Sequence, residues 1–182
     1  MNFYTADLHI GHANIIRYCQ RPFASVNVMN EALVSAWRRK VGPEDTVYVV
    51  GDFSLVRSNR MREVQAIFDA LQGRKILLRG NHDAPTVQGW AEIHDILTLH
   101  DNGREVTLCH YPLREWPGMW KGGIHLYGHV HGNMAPLPGS MDVGVDVWGG
   151  EPVTVAEILP WVEPFTAPAG KAGFRAREWP EA

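Results

Sequence analysis

Short runs with the pattern of β-strands alternate with helical segments through the first half of this chain. Three such runs, each predicted to be a buried strand, lie at 2–6, 46–50 and 75–79. The stretches 28–39 and 61–71 between them carry apolar residues at helical spacing, and the second closes at Gly73, as helix C-termini commonly do. This β-α-β-α-β order predicts right-handed crossovers and a largely parallel sheet, with its ligand site at the carboxyl ends of the strands.

The second half of the chain has a different pattern. Residues 96–100 and 104–110 flank an Asn-Gly pair at 102–103, which is a strong hairpin signal. A further short apolar run at 124–127 is predicted to be another strand that stops at a glycine and a histidine. We therefore expect a second, more antiparallel sheet.

Composition and charge limit the class of protein. The chain has 182 residues, of which 45% are hydrophobic and 20% charged, and these values are typical of one globular domain. We predict that this domain spans 1–163 and that an irregular tail follows at 164–182. No stretch approaches the roughly 18 consecutive apolar residues of a membrane span, and no signal segment is evident. We expect a cytoplasmic protein without membrane contact. The net charge of -3 gives no global positive field for nucleic acid.

Polar residues that could carry chemistry are concentrated just after the predicted strands. Aspartate, histidine and asparagine without a thiolate are ligands that suit Mn, Fe, Co, Ni or Zn. The number of these residues is too large for one ion, and a carboxylate can bridge two cations, so two divalent metals are predicted. The seven candidate ligands are Asp7, His9, Asp52, Asn81, His110, His129 and His131.

Spacing supports convergence of these side chains. The pairs Asp7 and His9, and His129 and His131, are each two residues apart. On a strand such a pair shares one face, and just beyond the strand it can converge on one point. A glycine precedes Asp52, as expected where the backbone turns sharply or approaches a site closely.

The ordered set D-x-H, G-D, G-N-H-D, H and G-H-x-H resembles the full signature of the calcineurin-like metallophosphoesterase superfamily, in particular its small bacterial-type single-domain phosphoesterases. It covers positions 7–131, roughly the first two-thirds of the chain. Each element alone is weak, but the combination is highly specific. The resemblance implies an α/β fold in which two sheets form a β-sandwich flanked by helices (αββα), with 141–147 as a further strand.

The resemblance also implies a role for each residue. Manganese is the expected metal, with Fe, Zn, Ni or Co as alternatives. His82 would face the ester, where it protonates the leaving oxygen or binds a phosphoryl oxygen, and Asp83 would hold its imidazole. The implied ligand sets are Asp7, His9 and His131 for the first metal, Asn81, His110 and His129 for the second, and Asp52 as the bridge.

These residues predict a metal-dependent phosphoric ester hydrolase. Two cations roughly 3.5–4 Å apart neutralise the charge of a phosphodiester or phosphomonoester and lower the pKa of a bridging water, so that the bridging hydroxide attacks in line. The departing alkoxide is a poor leaving group, for which a histidine such as His82 is a suitable acid. The expected partner is a phosphate-ester substrate, with nucleotides included; the sequence does not indicate protein partners.

Two alternative functions stay open. The chain has no obvious inserted lid domain, so it could act as a nuclease or cyclic-nucleotide phosphodiesterase. Its net negative charge makes a polynucleotide substrate, and therefore a nuclease, the less favoured of the two. A non-enzymatic alternative is a metal-dependent protein-binding scaffold. The presence of His82 and of every expected ligand favours catalysis.

Three further polar residues are candidate substrate contacts, namely His12, Asn14 and Arg114. Asn14 either reaches the phosphate or caps a helix that continues through Ile15 and Ile16. Arg114 either clamps phosphate or is solvated charge at the rim.

Other candidate residues are predicted to be structural. The histidines outside the motifs, at positions 94, 100 and 125, are more typical of surface or core packing than of a site. Asp142 and Asp146 alternate with apolar residues, as on the exposed face of a strand, so they are not predicted as ligands.

Overall fold

The computed structural model describes residues 1–55, 60–83 and 87–166. Of the predicted tail 164–182, only the first three residues belong to this set, so that prediction otherwise lies outside the described residues. The strands and α-helices are β1 Asn2–Thr5, α1 Ala13–Tyr18, α2 Val26–Lys40, β2 Thr46–Val49, α3 Met61–Ala70, β3 Arg74–Leu78, β4 Glu92–His94, β5 Ile96–Asp101, β6 Arg104–Cys109, β7 Ile124–Tyr127, β8 Ser140–Asp142 and α4 Val155–Ile158.

Two four-stranded sheets form the centre of the fold. The first has the order β1-β2-β3-β4 and is parallel throughout, as predicted. The second has the order β5-β6-β7-β8, and only its β5–β6 hairpin is antiparallel. The expectation of a more antiparallel second sheet therefore holds for one pair of strands. In the hairpin turn, Asn102 and Gly103 both have positive φ, 49° and 73°, as the Asn-Gly signal predicts.

Alternation along β2 divides the core into two layers. Val47 and Val49 pack with Trp37 of α2 and Phe68 of α3 on the helix side of the first sheet. Tyr48 lies on the opposite face, in the core that also holds residues of β6 and β7. Because side chains alternate along a strand, one run of β-branched and aromatic residues supplies both layers. The predicted α/β architecture of two sheets flanked by helices is confirmed.

The segment after β8 joins the two sheets. The strand predicted for 141–147 ends at Asp142, because from there the chain leaves the second sheet. The Val143 N–H donates to the carbonyl of Tyr127 in β7 (2.8 Å), whereas the Val143 carbonyl accepts the N–H of Ala6 (3.1 Å). The Val145 N–H in turn donates to the Ala6 carbonyl (3.0 Å). These bonds place 142–146 beside the loop that follows β1.

His125 is a buried structural histidine in β7, as predicted. Its Nδ1 lies 3.0 Å from the carbonyl of Thr107, and its Nε2 accepts the N–H of Leu113 at 3.0 Å. A neutral ring protonated at Nδ1 satisfies both contacts. Burial lowers the pKa of His125, although the carbonyls of Thr107 and Tyr111 oppose the shift.

Acid should destabilise the protein partly through His125. Since its pKa is lower folded than unfolded, the unfolded chain binds the extra proton, and stability falls as the pH drops below about 6.5. His125→Gln keeps an acceptor near Leu113 but does not titrate. The test is urea unfolding of the metal-free protein between about pH 7.5 and about pH 5. Over this range the free energy of unfolding should fall more steeply in the wild type than in the variant, by up to about 1.4 kcal/mol per pH unit. Equal losses would contradict this role.

No helix in the described part of the chain combines the length and the apolar character that a membrane span requires.

Candidate metal centre

The loops after five strands carry the predicted ligands to one place. These loops follow β1, β2 and β3 of the first sheet, and β6 and β7 of the second. Asp7, His9 and His131 offer ligand atoms within 4.8 Å of one another, and so do Asp7, Asp52 and His110. The carboxyl ends of the strands therefore build a shared centre, as the sequence predicts.

The backbone at this centre is held in a conformation that side-chain-bearing residues rarely adopt. Five predicted ligands have a positive φ, and among the other described residues that are not glycine, only Gln20 and the hairpin residue Asn102 do. Such strain costs on the order of 1–3 kcal/mol per residue and persists where the surrounding structure imposes it, commonly at functional sites. The five ligands are Asp7 (57°), His9 (51°), Asp52 (55°), His129 (72°) and His131 (50°).

Glycine at position 51 permits the close approach of two loops. Gly51 has φ 88°, and a Cβ built there would overlap the imidazole of His110. The glycine before Asp52 is therefore required by the site as well as by the turn.

The first ligand group has buried polar atoms without partners. Asp7 Oδ1 and both ring nitrogens of His9 are buried and make no hydrogen bond. Burial lowers the pKa of His9 to about 2, so the ring is neutral and offers a lone pair. Burial, together with Asp142 and Asp52, raises the pKa of Asp7. Unpaired buried groups of this kind require an explanation, and a divalent cation among Asp7, His9 and His131 supplies one.

The second ligand group converges on the side-chain oxygen of Asn81. Asn81 Oδ1 lies 3.0 Å from His110 Nε2 and 2.9 Å from His129 Nδ1. His110 Nδ1 lies 3.0 Å from the carbonyl of Val50 and donates its N–H there. With Nδ1 as the donor, Nε2 is the ring nitrogen that faces the amide oxygen and could bind a cation together with it. These residues also fit a metal.

Asp52 lies between the two groups. Its Oδ2 is 3.6 Å from His9 Nε2 and 3.5 Å from His110 Nε2. Its Oδ1 accepts the backbone N–H of His82 at 2.9 Å, which fixes the orientation of the carboxylate. Asp52 Oδ2 therefore lies close to a histidine of each group.

His82 and Asp83 have different surroundings from those predicted. The His82 side chain is 38% exposed, and its ring packs edge-on against that of His9, with centroids 5.5 Å apart. The Asp83 carboxylate instead accepts backbone N–H bonds from Asp52 (2.8 Å), Phe53 (3.0 Å) and Gly80 (2.8 Å). The prediction that Asp83 holds the His82 imidazole is therefore wrong, because these buried N–H groups occupy both of its oxygens.

The three candidate substrate contacts differ in position. His12 is half-buried, and its ring centroid lies 5.4 Å from that of His9. Asn14 is exposed within α1, whose N-cap is His12, so the alternative that Asn14 caps this helix is wrong. Arg114 is exposed beside a separate cavity of about 330 Å³, lined also by Met119, Leu137, Pro138 and 164–166.

Asp142 and Asp146 were expected on an exposed strand face, and this prediction is wrong. Asp142 is buried and accepts the N–H groups of Gly132 (2.9 Å) and Gly144 (2.7 Å). Asp146 Oδ2 lies 2.7 Å from His131 Nδ1. Asp142 is the last residue of β8 and faces the buried side of the strand, and Asp146 lies beyond β8, where the alternation of the strand does not continue.

Asp146 also binds Arg21, a residue that the sequence analysis did not select. Burial opposes ionisation of Asp146, but hydrogen bonds from His131 and Arg21 lower its pKa overall. Cys19 lies with His131 and Asp146 in a third group of potential ligands within 4.8 Å. The Arg21 guanidinium binds both carboxylate oxygens of Asp146, so this third group does not suit a cation.

Exposed aromatic side chains border the centre on two sides. The Tyr111 ring lies 4.7 Å from that of His129, and the Tyr18 ring lies 6.3 Å from that of His12. Both tyrosines present much of their surface to solvent.

Comparison with known proteins finds relatives in sequence and similar solved structures. No family model matches the chain. The uncharacterized protein MJ1445 of Methanocaldococcus jannaschii is 32% identical over 168 residues, covering 88% of this chain and 90% of that protein. The crystal structure of AQ665, a protein of unknown function from Aquifex aeolicus, matches with a TM-score of 0.72 and 26% identity, covering 89% of this chain and 99% of that one.

A more distant structure is a conserved uncharacterized protein of Streptococcus pneumoniae TIGR4, described as a predicted phosphoesterase. It has 18% identity and a TM-score of 0.42, covering 79% of this chain and 70% of that one. This likeness is too weak to support a functional assignment.

Proposed function

The chain belongs to the family of the uncharacterized protein MJ1445, and we propose that it is a phosphoric ester hydrolase that uses two divalent metal ions. The main support is the arrangement around Asp52, whose Oδ2 lies within 3.6 Å of a histidine from each ligand group. The unpaired buried atoms of Asp7 and His9 give independent support for a cation. The motif order described above makes phosphoester hydrolysis the chemistry to which this centre is best suited.

Each group of side chains would hold one ion. Asp52 would be shared between them, and the N–H of His82 holds its carboxylate in place. When bound, two divalent cations neutralise the charge of the phosphoryl oxygens and lower the pKa of a water molecule towards neutrality. Oxygen and imidazole ligands suit manganese, with Fe, Zn, Ni or Co as alternatives. The two groups are Asp7, His9 and His131, and Asn81, His110 and His129.

His82 is the proposed general acid. Its ring is partly exposed beside His9, and its Nε2 is 4.0 Å from Asp52 Oδ2. In this position a proton on the imidazole can pass to the oxygen of the departing alcohol, which is the step where an alkoxide needs help. His12, whose ring lies next to that of His9, would donate an N–H to a phosphoryl oxygen.

Asp83 is proposed to act indirectly. By accepting the N–H groups of Asp52 and Gly80, it ties the loops after β2 and β3 together. This holds Asp52 in its positive-φ conformation. Asp83 therefore positions Asp52 and is not the partner of His82.

A panel of phosphoesters tests the proposal. Protein freed of metal with a chelator and reloaded with Mn²⁺ should hydrolyse bis(4-nitrophenyl) phosphate or 4-nitrophenyl phosphate, and the metal-free protein should not. Relative rates on the two esters give the preference for diester or monoester. Metal-loaded wild type that is inert towards the whole panel would contradict the proposal.

A cyclic-nucleotide phosphodiesterase or nuclease is the second candidate. The exposed rings of Tyr111 and Tyr18 beside the two sides of the centre could stack with a nucleobase. The net charge of -3 favours a small nucleotide over a polynucleotide. Cyclic nucleotides and single-stranded nucleic acid therefore belong in the same panel, and failure to cleave either would discard this candidate.

A protein-binding scaffold is a third hypothesis. It predicts purified protein that hydrolyses none of the esters in the panel yet forms a stable, metal-dependent complex with a protein partner. His82 is dispensable under this hypothesis, although it lies beside the ligands.

A further inference from the structure

Arg21 is a buried cation that binds the backbone of the loop carrying the first ligand group. Its side chain is 4% exposed. Its Nη2 donates to the carbonyl of Asp7 at 2.7 Å, and its Nη1 donates to the carbonyl of Leu8 at 3.1 Å. Its Nε and Nη2 also bind Asp146 Oδ1 and Oδ2, at 2.7 and 2.8 Å. One guanidinium therefore joins the loop after β1 to the segment after β8.

The local backbone directs Arg21 inward. Gln20, immediately before it, has φ 51°, and the Arg21 N–H donates to the carbonyl of Ile16 at 2.8 Å. This contact closes the C-terminal end of α1 with a left-handed residue, as helix ends commonly do. The turn explains the positive φ of Gln20, which is neither a ligand nor part of the hairpin.

The bonds to the two carbonyls act on the strained part of the ligand loop. Asp7 and His9 both have positive φ, and Leu8 lies between them. Because Arg21 binds the carbonyls of Asp7 and Leu8, it fixes the two peptide planes that connect these ligands. The directions of the Asp7 carboxylate and the His9 imidazole depend on those planes.

The bond to Asp146 acts on the third ligand of the same group. His131 Nδ1 lies 2.7 Å from Asp146 Oδ2. A carboxylate in this position keeps the proton on Nδ1 and leaves the Nε2 lone pair for a metal, and such outer contacts also fix the ring orientation. Arg21 neutralises the charge of Asp146 and fixes the position of the carboxylate with two hydrogen bonds.

We propose that Arg21 and Asp146 form a positioning pair that aligns Asp7, His9 and His131 and so sets the affinity of the first metal site alone. The inference rests on the proposed two-metal centre. The second group is supported differently, since His110 Nδ1 is bound by the carbonyl of Val50. Disrupting the pair should therefore weaken one metal site and spare the other.

Calorimetric titration of metal-free protein with Mn²⁺ tests the pair. Wild type is expected to bind two ions per chain. Asp146→Asn has the same shape but lacks the charge, and it should bind one of the two ions about 10- to 100-fold more weakly. Arg21→Lys keeps the charge but cannot donate two parallel hydrogen bonds to the carboxylate of Asp146, so it should weaken binding of the same ion.

A matched control shows whether weaker Mn²⁺ binding is specific to Asp146 or follows the loss of any half-buried carboxylate. Asp101 Oδ2 accepts the hydroxyl of Tyr4 at 2.7 Å, away from the metal centre. Asp101→Asn should bind both ions as wild type does.

The outcomes distinguish the inference from the proposed function. Wild-type binding of both ions by Asp146→Asn and Arg21→Lys would overturn the inference and leave the centre intact. Equal loss of both ions, or loss of folding seen by circular dichroism, would assign the pair a general structural role and also overturn it. Failure of the wild type to bind Mn²⁺ would overturn the proposed function itself.

Discussion

Replacing Asp52 with asparagine is expected to lower kcat/KM for phosphoester hydrolysis by about 10³-fold or more, the equivalent of about 4 kcal/mol of transition-state stabilisation. Asp52 Oδ2 lies 3.6 Å from His9 Nε2 and 3.5 Å from His110 Nε2, one histidine from each proposed ligand group. Asparagine fills the same volume but carries no charge, so it bridges two cations poorly. Steady-state kinetics with bis(4-nitrophenyl) phosphate and the Mn²⁺ content of the same samples would measure the effect.

The conservative shape of this substitution keeps the result interpretable. The side-chain oxygen of asparagine can still accept the N–H of His82, which now binds Asp52 Oδ1 at 2.9 Å. Circular dichroism should therefore resemble that of the wild type, and the control Asp101→Asn should retain full activity. An Asp52→Asn protein that keeps two ions and activity close to wild type would show that Asp52 is not the bridge.

Replacing His82 with alanine is expected to lower kcat by about 10²- to 10⁴-fold on an ester with an alkoxide leaving group. The loss should be much smaller with 4-nitrophenyl esters, because 4-nitrophenolate departs without protonation. Metal content should not change, since His82 is outside both proposed ligand groups. Comparing kcat for the two kinds of ester in wild type and His82→Ala gives the leaving-group dependence directly.

His94→Ala is a suitable control for this variant. His94 lies on β4, where its Nε2 contacts Glu92 at 2.8 Å, and it has no role in the proposed centre. Its activity should equal that of the wild type. Equal losses in His82→Ala for both kinds of ester would rule out proton donation to the leaving group, and loss of metal would make His82 a ligand.

Much of the fold could be predicted because local signals and long-range packing agree. The β-branched run that forms β2 ends at a glycine, and alternate residues of this strand supply the two core layers. The strand β4 was not predicted, because its three residues are exposed or half-exposed and give no apolar alternation. It is a strand because it pairs with β3, a contact that the local sequence does not encode.

The candidate site was predictable to the extent that its residues follow strands directly. Asp7, Asp52 and Asn81 each come just after a strand of one parallel sheet, so their convergence follows from topology. The partners of Asp83 and Asp146 depend instead on which loops meet. Asp146 and Arg21 are 125 residues apart in the sequence, and no periodic pattern connects them.

Diffraction from crystals grown with Mn²⁺, recorded to give the anomalous signal of manganese, tests the two-metal centre most directly. We predict two peaks on either side of Asp52, one among Asp7, His9 and His131 and the other among Asn81, His110 and His129. With these seven side chains arranged as described, a map without manganese peaks, or with a single peak that Asp52 does not contact, would contradict the account.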